Sequence, residues 1–163
     1  MSSFNRRSVL AALAATPLAA CGFQPVFAPG SPASALRGTV LVDAPTSRTA
    51  FDLIRAIESR LGRAETVVYE LAVSQSTSTS SLAVQGSSAV TRYNLKGEAS
   101  YILTERATQT VVSSGAVDAL TSYSTTSNTA ATSAAQIAAT RRLSEALADQ
   151  IVNRMLVTVD PSP

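Results

Sequence analysis

The chain has 163 residues, of which 15% are charged, with 13 Lys+Arg against 11 Asp+Glu, no histidine and a single cysteine. Without histidine it lacks the commonest general base and metal ligand near neutral pH. A lone cysteine excludes an internal disulfide framework, a four-Cys zinc site and a CxxC redox pair.

The first seven residues carry Arg6 and Arg7 and no acid, an apolar run covers Val9 to Leu18, and the small residues Ala19 and Ala20 precede Cys21. Charged, apolar, then small is the order of a secretory signal, and the run is well short of the ~20 residues that span a bilayer. Leu18-Ala19-Ala20-Cys21 suits a lipoprotein peptidase cutting between Ala20 and Cys21, with residues 1–20 removed. Cys21 is then the lipid attachment site, bearing diacylglycerol and an N-acyl chain; no other cofactor and no metal is expected. The alternative is an ordinary cleavage site with an incidental cysteine. Asn5 to Leu10 resembles a twin-arginine export motif, and a general secretory signal with adjacent arginines fits equally well. Gly22, in place of Asp, lacks the inner-membrane retention signal of enteric lipoproteins and favours the outer membrane.

Removing 20 residues from 163 leaves 143, an ordinary single-domain length. With Arg6 and Arg7 gone, 13 basic residues become 11 against 11 acids, so no nucleic-acid partner is implied. Residues 21–38 hold three prolines and three glycines and read as a lipidated N-terminus on a flexible tether. A single domain is expected over 39–157. Thr39 to Val42 is a short β-rich run stopped by Pro45. Ala50, Leu53, Ile54, Ile57 and Leu61 recur at helical spacing, with Thr46 or Ser47 to cap and Gly62 to terminate, predicting a helix over 47–61. Residues 65–74 alternate, with Val67, Tyr69, Leu71 and Val73 on one face. Ser74 to Ser81 is uncharged Ser/Thr sequence, a loop or a solvated strand end.

A longer strand follows, with Tyr93, Leu95, Ala99, Tyr101 and Leu103 on one face against Asn94, Lys96, Glu98, Ser100 and Thr104. Glu105 to Thr108 reads as a hairpin turn. The strand over 109–121 places Val111, Val117 and Ala119 in alternation, and Gly115 marks a bulge or a close backbone approach. Ser122 to Ser133 is again Ser/Thr/Ala-rich. A helix over 130–156 carries an apolar stripe of Ile137, Leu143, Leu147, Ile151 and Met155, with Arg141 and Glu145 spaced for an i,i+4 pair. Residues 158–163 read as a disordered tail. The order β-α-β-β-β-α predicts an α+β two-layer sandwich: two helices on one face of a mostly antiparallel four-stranded sheet, the other face rich in Ser, Thr and single charges.

No catalytic constellation is present: no triad is possible without histidine, no Gly-rich phosphate loop occurs, and Glu145 and Asp149 fit a surface ion network. A non-enzymatic protein is expected. Arg92 and Lys96 share a strand face near tyrosines. They are either solvent-facing charges that deter edge aggregation or a small cationic strip for phosphate groups.

Cys21-Gly-Phe-Gln-Pro-Val-Phe27 resembles the start of mature members of the LptE family, lipopolysaccharide-assembly lipoproteins of Gram-negative bacteria, in the short form found in alphaproteobacteria. Arg92-Tyr-Asn-Leu95 with Ala99 to Leu103 resembles the family's central strand, and Tyr123 to Asn128 leading to Arg141-Arg142-Leu143 and Leu147 to Ile151 its final loop and helix. The resemblance implies this same fold and a non-catalytic outer-membrane lipoprotein. It implies a plug and assembly partner within the lipopolysaccharide-inserting β-barrel of LptD type, taking part in lipopolysaccharide transport. Arg92 and Lys96 are then candidate lipopolysaccharide contacts. The other reading is an unrelated periplasm-facing lipoprotein that binds a small ligand or scaffolds another envelope complex.

Overall fold

A computed structural model describes residues 31–82 and 92–159. Cys21, its cleavage site and residues 160–163 lie outside the described residues, while Thr158 and Val159, assigned to a 158–163 tail from sequence, are respectively helical and buried. The elements are α1 (Pro32–Leu36), β1 (Val40–Val42), α2 (Arg48–Leu61), β2 (Tyr69–Leu82), β3 (Arg92–Glu105), β4 (Thr110–Ser124) and α3 (Thr129–Thr158). They form one mixed sheet in the order β1-β2-β3-β4, with β1 parallel to β2 and the remaining pairs antiparallel. The expected α+β layout is what is found, with one helix added.

That helix, α1, falls where a tether was expected. Ser31 caps it by accepting from the Ser34 N–H at 3.2 Å, and Pro32 occupies its first turn, where a missing N–H costs nothing. Leu36 and Ala33 are buried, so the packed part of the chain includes this capped turn, ahead of residue 39. The next helix starts as its sequence indicates, with the Ser47 side chain accepting from the Ala50 N–H at 3.1 Å. Gly62 ends it at φ +78°, a backbone region open to glycine and costly for residues with a Cβ.

Odd-numbered residues of β2 and β3 face the helices. Leu71, Leu95, Ala99, Tyr101 and Leu103 pack against Leu53, Ile57 and Leu61 of α2 and Leu143, Leu147, Ile151 and Met155 of α3. Each fully buried aliphatic side chain contributes about 1.5–3 kcal/mol by leaving water.

The two covering helices differ in length. At 1.5 Å per residue, the 14 residues of α2 reach only about 21 Å, whereas the 30 of α3 reach about 45 Å, matching the long strands. The first residues of α2, Arg48, Thr49 and Asp52, draw level with Ser133, Gln136, Ile137 and Thr140 of α3, with which they border a surface groove. Ile137, placed on the core stripe by sequence period, opens onto that groove and is 60% exposed.

One strand reading is decided and another shifts. Of the two readings of Ser74 to Ser81, the solvated strand end is the one found: the segment continues β2, pairs with β3 out to Leu82–Arg92 and is largely exposed. At the start of β4 the register slips between Leu103 and Thr104, so Val112 is the extra residue. Ahead of the bulge the expected parity is reversed: Val111 faces outward at 54% exposure, while Ser113 is buried in step with Val117. Gly115 is instead the close approach, since a Cβ there would lie 3.2 Å from the Tyr101 ring.

Candidate functional site

Even-numbered residues of the long strands point away from both helices and make an open sheet face. On β2 these are Ser74, Ser76, Ser78 and Ser80; on β3 Arg92, Lys96, Glu98, Ser100 and Ile102; on β4 Ser114, Ala116, Asp118, Leu120 and Ser124; all are exposed. Side chains across the pleat are close enough to bond: the Ser74 and Ser100 hydroxyls are 2.8 Å apart. Isolated apolar residues punctuate this hydroxyl field, with Ile102 48% and Leu120 68% exposed. Sequence alternation located the face on β3, but the β2 serines were hidden in the Ser/Thr run.

Arg92 and Lys96 both lie on this face, about 13 Å apart along the strand. Lys96 donates to Glu98 Oε1 at 2.7 Å. That hydrogen bond and the Glu98 charge raise the Lys96 pKa, and the reciprocal bond and charge hold Glu98 below the ordinary carboxylate range. Asp118 stands directly across from Glu98 on β4, so Lys96 sits among acids. Arg92 makes no ion pair among the described residues and lies at the sheet's end. The tyrosines do not flank them: Tyr93 and Tyr123 stack on the helix side, centroids 5.4 Å apart at 14°.

Between α2 and α3 runs a surface groove of ≈ 610 Å³ lined by Asp52, Arg55, Ala56, Ser59, Arg60, Arg141 and Glu145. Arg60 pairs with Asp149 across the two helices and donates to the Ala56 carbonyl at 2.7 Å. Arg141 pairs with Glu145 at 3.0 Å, the i,i+4 pair expected from sequence. These exposed pairs each contribute at most about 1 kcal/mol. Below the groove the space between helices and sheet is filled: Leu53, Ile57, Leu71, Leu103, Leu147 and Ile151 are each no more than 1% exposed. Among the described residues no cluster of three or more His, Cys, Asp or Glu could hold a metal ion, and no helix is long and apolar enough to cross a membrane.

A four-stranded sheet covered on one side by helices is a fold shared with solved bacterial lipoproteins. A lipoprotein from Caulobacter crescentus CB15 superposes with TM-score 0.65 at 17% identity, covering 77% of this chain and 93% of that one. The rare lipoprotein B of Shewanella oneidensis gives 0.57 at 17%, over 74% of this chain and 93% of that one. A minor lipoprotein of Acinetobacter baumannii gives 0.52 at 17%, over 73% and 89%. A search of curated protein sequences finds no match. The family model for LptE, lipopolysaccharide assembly, matches residues 38–155. The chain belongs to the LptE family.

Proposed function

We propose that this chain is a non-catalytic lipoprotein anchored through acylated Cys21 in the outer membrane, where it acts as plug and assembly partner of the β-barrel that inserts lipopolysaccharide. Family membership supports the role in lipopolysaccharide assembly. The observation that carries the barrel reading is the open face, where Ser74, Ser76, Ser78, Ser80, Ser100 and Ser114 line one side of a domain with a filled core. The lumen of an outer-membrane barrel is polar, and a partner held there is met by many small hydroxyl contacts instead of one apolar patch. Lipid on Cys21 supplies the membrane attachment, at ~0.8 kcal/mol per buried CH₂, leaving the domain's faces to protein.

Lipopolysaccharide phosphates would meet Arg92 first, because Lys96 must leave Glu98 to reach them. The test is a photo-crosslinking residue at Ser100, and separately at Arg92, in the mature lipoprotein in its native envelope. A large β-barrel captured at Ser100 supports the plug reading, and lipopolysaccharide captured at Arg92 supports direct contact. Recovery of the lipoprotein alone from both positions overturns the barrel reading.

A further inference from the structure

The two edges of the sheet are treated differently. Outward-pointing N–H and C=O groups on an edge strand are a template for another extended chain, and native proteins blunt such edges. On β4 the blunting is visible. The Gln150 side chain reaches from α3 to donate to the Asp118 carbonyl at 2.8 Å, and Arg142 Nη2 donates to the Ser122 carbonyl at 3.4 Å. A bulge distorts the start of the same edge.

Among the described residues the outer edge of β2 has none of these devices. β1 covers it only at Tyr69, Glu70 and Leu71, with the Asp43 N–H adding a bond to the Leu71 carbonyl. Beyond that no strand among the described residues pairs with the edge from Ala72 to Leu82, and Leu71–Leu82 contains no charged residue, proline or glycine. Strand alternation settles which groups are open. Arg106 N–H bonds to the Val68 carbonyl, so even residues of β2 pair with β3 and odd residues point outward. Val73, Gln75, Thr77, Thr79 and Ser81 therefore present their backbone groups to the edge, and no bond from the described residues meets them. Thr77, Thr79 and Ser81 are exposed on the helix side too, because α2 stops short of them.

We infer that β2 is a strand-addition site: an extended, uncharged segment of the barrel partner pairs with the Ala72–Leu82 edge and extends the sheet by one strand. This rests on the barrel reading above and names the surface that reading uses. The backbone ladder supplies the binding free energy, while exposed Ser and Thr on both sides of β2 select small polar neighbours and would reject bulky or charged ones. The edge borders the serine-lined open face, so one partner can engage both.

The test compares amide exchange in mature lipoprotein purified alone with that in lipoprotein co-purified with its barrel. Amides of Val73, Gln75, Thr77, Thr79 and Ser81 should slow by about tenfold or more in the complex, while even-numbered amides, already bonded to β3, should change little. Unchanged exchange at the odd positions in a complex that does contain the barrel overturns the inference and leaves the barrel reading standing. Absence of any barrel overturns both. Thr79→Pro removes only an outward N–H, the one place a strand tolerates proline. It should keep the melting temperature of the isolated protein and lower barrel recovery several-fold. Unaltered recovery with Thr79→Pro counts against strand addition, as does protection of the odd amides in a dimer of this chain alone, seen by light scattering.

Discussion

Gly97 on β3 sits so close beneath Leu143 of α3 that a Cβ at this position would lie 2.9 Å from Leu143 Cδ2 and 3.0 Å from Leu147 Cδ1. The helix thus rests on backbone, and β3 gains its closest helix contact where its side chain is a hydrogen. Gly97→Ala should destabilise the domain by about 1–3 kcal/mol through overpacking, despite alanine's better conformational entropy. Urea denaturation measures it; an unchanged midpoint would mean that α3 lifts freely. Leu143→Ala in the same contact should cost about 2–5 kcal/mol.

The Tyr93–Tyr123 stack holds β3 to β4 at the end of the sheet that α2 does not reach. Its rings are partly exposed, so burial alone accounts for little. Tyr123→Leu should remove about 0.5–1.5 kcal/mol of pair-specific stability, isolated by a double-mutant cycle with Tyr93→Leu. A coupling near zero would make the stack incidental.

How far these features were legible follows from where each signal resides. The α2 cap, the β3 alternation and the lower part of the α3 stripe are local patterns, and the structure keeps Ser47, Leu95 and Leu147 where those patterns put them. Ser74 to Ser81 carries no apolar alternation, because neither of its faces is well covered; its strand conformation comes from pairing with β3. The exposure of Ile137 depends on the groove it shares with Arg48, Thr49 and Asp52 of a different helix, and that of Val111 on a one-residue slip beside Leu103. Period within the segment itself encodes neither. The short helix at Pro32 had its cap and its proline in plain view, but Leu36 reaches the core only through tertiary packing. Of the candidate site, Arg92 and Lys96 were correctly placed on one face, while the bonding of Lys96 to Glu98 required the observed side-chain geometry.

Gln150 and Arg142 lend themselves to a test of edge protection. Substituting both by alanine uncovers the Asp118 and Ser122 carbonyls. Since both side chains are exposed, thermal stability should fall by less than about 1 kcal/mol. Association should respond more strongly: the double variant should form concentration-dependent oligomers in light scattering where the unsubstituted protein does not. A double variant no more associated than the parent would show that the bulge alone protects β4.

The Lys96–Glu98 pair predicts a pH signature confined to the open face. Glu98 is held below its ordinary pKa by Lys96, so its contribution is present above the unfolded-state carboxylate pKa and is lost as pH falls through the lower folded value. Lys96 is raised, so its contribution is present below the unfolded lysine pKa and is lost as pH climbs through the higher folded one. The pair is intact across the neutral range. Both groups are fully solvated, and salt screens them, so Lys96→Ala should leave the melting temperature unchanged. It should move the Glu98 carboxylate titration, followed by NMR, back up toward the ordinary range, with a smaller shift in high salt. A Glu98 titration indifferent to Lys96→Ala would mean that the two side chains do not hold this contact in solution, leaving Lys96 as free as Arg92 to meet a phosphate.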